Sequence, residues 1–550
     1  MLKPKLFTTL KDYDTETFLS DLSAGLIVVV VALPLSIAFA IASGVGPERG
    51  LFTAIVAGFL ISFLGGSRVQ IGGPSGTFVV IVYGIVQQYG YPGLMTATIM
   101  AGIILVGMGI LRMGGLIQFI PYTIITGFTA GIAVIIFTTQ IGDALGLTVE
   151  NLPGDFIGKI VAYARSLDSL NWTALGLTLS SLLVIVFWPR VNLKIPGSLV
   201  AIVAATLAVQ VLDLPVETIG TRFGAIPTAF PEPIRPDLSW PTLRAMFSPA
   251  VTIALLVAIE SLLSAVVADG IIGGRHRSNM ELIAQGVANI ASPFFGGIPA
   301  TGAIARTAAN VNNGAKTPMA GIIHALALLF IMVFFGRYAV YIPMPALAAI
   351  LIFVAYNMSE IHAFKSILRS QKSDGAVLLA TFFITIFIDI SVAIQTGMVL
   401  AAFLFMKKMI DVSAVKEIRE GFADNREEDR ENLAFIASSK PKDVFIYEID
   451  GPFFFGSVQK LERALKQTKV GYSTFILRMR NANYIDADGV RAIEGLYKEC
   501  ASQGRSFLIS GIRPQPRKIL ERTGLLRKIG EDRIFPSIEA ALAFARDGEK

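Results

Sequence analysis

Between Leu22 and Met406 the chain is a succession of apolar runs bounded by Gly, Pro or charge, and no other feature limits its fold so strongly. A run of about 20 apolar residues can cross the roughly 30 Å hydrocarbon layer as a helix. Composition agrees, since 53% hydrophobic and 16% charged residues over 550 positions are too apolar for a soluble class. The pattern predicts a polytopic α-helical membrane protein of about fourteen segments, several too short for a perpendicular crossing. The first run, "LSAGLIVVVVALPLSIAFAIASG" from Leu22, is longer than a signal-peptide core and lacks a small-residue cleavage site, so it reads as a retained span.

Charge gives an orientation. With the amino terminus (Lys3, Lys5, Lys11) in the cytoplasm, every expected inner loop is basic: Arg68, Arg112, Arg190 with Lys194, Arg275 with Arg277, Lys316, Lys365 with Arg369 and Lys372, and Lys407 with Lys408. The long outer connections around 146–172 and 215–248 carry Glu150, Asp155, Asp168, Glu217, Glu232 and Asp237. Both termini are expected to be cytoplasmic, in a plasma membrane of the bacterial inner-membrane type. The +6 formal charge follows from this loop bias and does not point to nucleic acid. One cysteine, Cys500, and three scattered histidines give neither a disulfide framework nor a metal cluster, and no cofactor is expected.

Four regions follow: a cytoplasmic segment 1–20, a membrane transporter domain 21–410, a charged linker 411–440 and an α/β domain 441–550. In the last, "DVFIYEID", "STFILRM" and "SFLIS" read as strands, while "VQKLERALKQ" and "DGVRAIEGLYKECASQ" have helical spacing.

Two stretches break the membrane pattern. "GGSRVQIGGPSGTFVVIVYGIV" holds Gly72, Gly73 and Pro74, and "FFGGIPATGAIARTAANVNNGAKTP" holds Gly296, Gly297 and Pro299. Such breaks survive at membrane depth only where protein buries the freed backbone or where it lines a cavity. Each follows a longer segment with a distinctive residue: Pro34 lies 40 positions before Pro74, and Glu260 lies 39 before Pro299. The two halves therefore read as distant repeats. A helix from Thr301 to about Asn312 would rise only about 18 Å, so it must start near mid-membrane.

Short, interrupted segments in matching places mark a transporter's substrate site. The physics favours an anion, because half-helix amino termini present unpaired N–H groups and the positive end of the helix dipole. Backbone donors near Ser75, Gly76 and Thr77 are expected to face those near Thr301, Gly302 and Ala303, with Arg306 adding a permanent cation. The competing reading is that these small residues merely permit close helix packing. Glu260 is the strongest single candidate, since a carboxyl inside a span costs about 2.5–3.5 kcal/mol and takes a cavity-facing, functional position. It is read as a proton carrier or as a cation-binding carboxylate, against a static ion pair with Arg306. Asp269 and Asp389 fall near span ends and read as interfacial. No phosphate-binding loop, metal cluster or nucleophile–base pair suggests an enzyme.

On these residues the chain resembles the SulP (sulfate permease-like) anion transporter family, bacterial relatives of the animal solute-carrier family that contains prestin. The likeness rests on "LPLSIAFAIASGVGPERGLFTAIVAGFLISFLGGS", "IGGPSGTF", "AIESLLSAVVADG", "FFGGIPATGAIARTAANVNNGAKTPMAGIIHA" and a carboxy-terminal STAS-like domain. It implies fourteen segments in a 7+7 inverted repeat with core and gate domains, a cytoplasmic STAS domain and a homodimer. It also implies an anion site at Phe39 and Ser75–Phe78, and coupling positions at Glu260 and Ser264. Arg306 matches an arginine near the anion, but Ala305 stands where prestin-like members have a serine. The implied function is secondary active transport by alternating access, with a co-transported proton; the wording is closest to a bacterial C4-dicarboxylate transporter of the family (succinate, fumarate). Sodium-coupled bicarbonate transport, proton-coupled sulfate transport and an uncoupled channel or exchanger are the alternatives. By likeness to STAS modules Asp488 occupies the place of a phosphorylatable serine, which excludes serine phosphorylation there; the helix start at Asp488 and Gly489 is a candidate interaction edge for a cytoplasmic protein, with a purely structural role of the domain as the alternative.

Overall fold

The computed structural model describes the chain except residues 1, 116–120, 150–151, 192–194, 226, 228, 231–234, 413, 418–440, 442, 467–471 and 548–550. Glu150, Lys194, Glu232 and most of the expected linker thus lie outside the described residues. Two compact units form, Met1–Val399 and Leu400–Lys550.

The first unit is helical. Its elements are α1 (Thr15–Ala42), α2 (Pro47–Leu64), α3 (Val79–Ile110), α4 (Tyr122–Leu145), the short α5 (Phe156–Arg165), α6 (Trp172–Phe187), α7 (Gly197–Leu212), α8 (Trp240–Ile272), α9 (Ser278–Ala291), α10 (Ile304–Asn312), α11 (Met319–Phe335), α12 (Met344–Met358), the short α13 (Ile361–Arg369) and α14 (Lys372–Phe387). Helix α15 (Ile390–Val412) carries the chain into the second unit. Gly90, at φ 63°, breaks α3 into two segments, a backbone conformation glycine adopts without a Cβ penalty. With that break, and with α5 and α13 set aside, the described helices make fourteen membrane segments. Nine of the described helical stretches are long and apolar enough to cross alone, and the others are shorter, as expected from sequence.

Mutual packing sorts these helices into two bundles. Helices α1, α2, α3, α8, α9, α10 and α11 pack on one another, whereas α4, α6, α7, α12 and α14 form the other set, with α5 leaning on α4 and α14. These are the core and gate domains, and fewer contacts join them, through α1 and α3 on one side and α4, α7 and α12 on the other. Inside the core, two carboxylates hold the ends of the breaks. Asp21 on α1 accepts from Lys316 N (2.7 Å), Thr317 N (3.1 Å) and Thr317 Oγ1 (2.5 Å); Glu281 on α9 accepts from Gly66 N (2.8 Å) and Ser67 N (3.0 Å). Both are buried carboxyl groups held by several donors, the condition under which burial of a polar group is tolerated.

The second unit is an α/β layer. Strands β3 (Ala414–Glu417), β4 (Val444–Asp450), β5 (Thr474–Asn481), β6 (Ser506–Ser510) and β7 (Ile534–Phe535) lie in that order, with β3 antiparallel to β4 and the rest parallel. Period-2 alternation feeds two cores. Tyr447, Phe475, Leu477 and Phe507 pack with Leu461 of α16 (Phe455–Lys466) and with Ile493 and Leu496 of α17 (Ala487–Ser502) on one face, and Ile446, Ile476 and Leu508 pack with Ile538 and Leu542 of the last helix on the other. Strand β3 falls inside the stretch read as linker. Its four residues sit next to charge, which hid an edge strand.

Candidate functional site

The two sequence breaks meet. Gly72–Gly73 (β1) and Thr301–Gly302 (β2) pair antiparallel, Gly72 opposite Gly302 and Gly73 opposite Thr301, and Ala303 N donates to Ile71 O (3.0 Å). The freed backbone around them is satisfied by side chains from several helices. Asn289 bonds both N and O of Ala300 (2.9 and 2.8 Å), Asn310 Nδ2 donates to Val69 O (2.8 Å), and Thr307 Oγ1 accepts from Ile71 N (3.1 Å). This is how irregular backbone persists at membrane depth. Gly302 is required by a close approach, since a Cβ there would lie 1.5 Å from Gln70 Nε2, which itself donates to Ser261 O (2.9 Å).

From this junction two half-helices diverge. Ser75 caps the first, a short turn over Gly76–Phe78 that runs on into α3 as far as Gly90. The second starts at Ile304, with Ala303 as its cap. The expected start at Thr301 is therefore corrected: Thr301 and Gly302 are strand, because pairing with the first break satisfies their backbone before the helix begins. Thr301 turns away from the cavity and donates its hydroxyl to Val257 O (3.2 Å).

In front of the half-helices lies a cavity of about 320 Å³. Phe39, Ser75, Gly76, Thr77, Glu260, Ala303, Ala305 and Arg306 line it, together with apolar side chains including Leu35, Ile125, Phe128 and Leu263. Exposed Asn357 and Glu360 stand at its mouth, where Glu360 accepts from Tyr122 OH (2.7 Å). Phe78 and Ser264, also expected here, are buried behind it: Ser264 lies one turn along α8 from Glu260 and donates to Thr307 Oγ1 (3.0 Å). Gly76 brings backbone against Phe39, whose Cε1 would lie 3.1 Å from an added Cβ.

The charged pair is arranged in an unexpected way. The Glu260 carboxylate accepts from Ser75 Oγ (2.6 Å) and Thr77 Oγ1 (2.7 Å), so it occupies the side-chain donors of the first half-helix. Arg306 does not pair with it within ion-pair distance. Its Nη2 donates to Pro74 O (3.0 Å) and to Ser36 Oγ (3.4 Å), and its Nη1 has no partner although the residue is 1% exposed. Gly73 makes room for that nitrogen, since a Cβ there would lie 2.2 Å from Nη1. The static Glu260–Arg306 bridge considered from sequence is absent among the described residues.

In the second unit Asp486 caps α17 by accepting from Gly489 N (2.8 Å), and it also accepts from Phe455 N (3.2 Å). Gly489 is a buried packing glycine whose added Cβ would lie 2.8 Å from Phe453 O. Of the expected edge only Asp488 is exposed. Sequence reasoning missed Asp21, Glu281, Gln70 and Asn289; a buried-looking carboxylate or amide near a Gly-Gly break is the signal that would have found them.

Fold and site define a membrane anion transporter of the inverted-repeat class. The chain belongs to the sulfate permease family, whose model matches residues 18–381, and the STAS domain model matches residues 436–541. It is a transporter and not an enzyme. The Bacillus subtilis protein YvdB, provisionally named a sulfate transporter, is 39% identical over 96% of this chain and 97% of its own. The bicarbonate transporter BicA of Picosynechococcus is 28% identical over 95% of this chain and 94% of its own. The murine Slc26a9 anion transporter in the inward-facing state superposes with a TM-score of 0.87 over 99% of this chain and 94% of its own, at 19% identity, and shares the fold.

Proposed function

We propose that the chain is a proton-coupled symporter of small organic dianions of the C4-dicarboxylate class, working by alternating access with Glu260 as the proton carrier. The observation that carries this reading is that the Glu260 carboxylate holds the hydroxyls of Ser75 and Thr77 inside the cavity where Arg306 keeps an unpaired N–H. A carboxylate in that place competes with an incoming anion for the same donors. Protonation removes the charge and frees the hydroxyls, so proton and anion bind together. The anion then lies between the N-termini of the two half-helices, near Gly76 and Ala303, with Arg306 Nη1 as a charge-assisted donor. Apolar Leu35, Phe39, Ile125 and Phe128 suit the carbon chain between two carboxylates.

Charge balance sets the stoichiometry. Moving one negative charge into a cell at 100 mV costs about 2.3 kcal/mol, and a dianion costs about twice that. One proton on Glu260 balances a monoanion; a dicarboxylate enters singly protonated or with a second cation. The cavity mouth stands among the ends expected to be cytoplasmic, and the proposal includes cytoplasmic termini in a bacterial inner membrane, a homodimer and a STAS surface at Asp488 for a cytoplasmic partner. A second reading, coupled sulfate or bicarbonate transport with proton or sodium, draws support from the relatives' names. The test is fumarate uptake into sodium-free proteoliposomes, with and without an inward proton gradient and with sulfate and bicarbonate as competitors. Gradient-driven uptake is expected; uptake of sulfate or bicarbonate alone would replace the substrate, and indifference to the proton gradient would remove the coupling.

A further inference from the structure

On the side of the molecule away from the cavity mouth, a second cavity of about 310 Å³ lies between the end of α1, the first segment of α3, the end of α4 and α5. Tyr83, Thr139, Gln140 and Tyr163 line it, and Lys159 of α5 reaches into it. Lys159 is 3% exposed, and no carboxylate lies within ion-pair distance of its ammonium among the described residues. Its one contact of note is the Tyr83 ring, with Nζ 4.4 Å from the centroid. Two further charges line the same cavity and are paired with each other: Asp143 with Arg222 (2.7 Å), and Arg222 also with Glu217; Asp155 caps α5 through Gly158 N (2.7 Å). Asp389, which lines the adjoining cavity with Lys159, caps α15 through Ser391 N (2.6 Å).

A buried ammonium with no carboxylate in ion-pair contact loses most of its hydration, and a cation–π contact returns only part of that loss. The remainder calls for an anion. We propose that Lys159 and the polar residues around it form a second anion site, on the face opposite the Glu260 cavity, that takes a small oxyanion or carboxylate on its way to or from the half-helices. Tyr83 belongs to the core bundle and Lys159 to the gate side, so the ammonium is held against the ring where the two bundles meet and comes free to the anion when they part.

The test labels the purified full chain with 4-sulfophenyl isothiocyanate, an anionic amine reagent, and compares Lys159 with exposed Lys518 by peptide mass mapping. Sulfate, bicarbonate and succinate are each added over a concentration series. At least one of them is expected to slow labelling of Lys159 in a saturable way and leave Lys518 unchanged. Equal slowing at both lysines, or none at Lys159 with any of the three, overturns the site. In cells, Lys159→Gln is expected to raise the external concentration for half-maximal uptake about tenfold, the scale of one charge-assisted hydrogen bond, and Lys159→Arg to restore it. A lower maximal rate with unchanged half-saturation would make Lys159 a strut between the bundles and overturn the proposal.

Discussion

The two half-helices look alike in sequence and differ in chemistry. The first is capped by Ser75 and carries Thr77, and both hydroxyls are taken by Glu260. The second has no side-chain cap at Ala303, and its cation, Arg306, reaches across to the carbonyl of Pro74 in the first break while one of its N–H groups stays unpaired. One end therefore holds a removable charge, and the other a permanent one. On the proposed reading, the difference teaches that a repeat supplies the geometry of an anion site twice, whereas the coupling charge lies on one copy.

The largest effect expected on this division is loss of accumulation in Glu260→Gln. That variant keeps the shape and removes the charge, so gradient-driven uptake in proteoliposomes should vanish while anion exchange persists; accumulation equal to wild type would remove Glu260 from coupling. Next comes Arg306→Gln, which removes a charge-assisted donor worth about 1.5–3 kcal/mol and should weaken anion binding in calorimetric titration about tenfold to a hundredfold. Unchanged affinity would mean that the second half-helix binds through its backbone alone. Gly73→Ala sharpens the same point, because its Cβ would push on Arg306 Nη1 while leaving the charge, and a smaller loss of the same kind is expected. Thr77→Ala removes one hydroxyl that Glu260 holds and that the proposed anion would take, and should raise the half-saturating anion concentration about threefold to tenfold. The smallest effect belongs to Thr301→Ala, whose hydroxyl faces Val257 and not the cavity; a change beyond about twofold in half-saturation would restore Thr301 to the site.

Much of this arrangement was legible in the chain. Gly/Pro breaks inside apolar runs located both half-helices, and Glu260 and Arg306 stood out because charge inside a span needs a reason. The strand pairing of Gly72–Gly73 with Thr301–Gly302 was not legible, since two residues carry no period, and it moved the second helix start to Ile304. Ser264 was assigned by likeness to a coupling position, yet its hydroxyl is directed to Thr307; the spacing from Glu260 gives the helix face and not the partner. The same limit explains Gly489, which stands in the first turn of the helix as read but is buried against Phe453 and so presents no edge. Lys159 escaped notice because a lone lysine in an outer loop is ordinary until its burial is known.

The central claim is that a proton on Glu260 and an anion at the half-helices support each other's binding. Anion affinity of the purified protein, measured by titration from acid to neutral pH for wild type and for Glu260→Gln, tests it directly. Wild type should bind more weakly as pH rises, while the Gln variant, unable to lose a proton there, should bind with an affinity independent of pH. Parallel pH dependence in both proteins would contradict the account and place the coupling proton elsewhere.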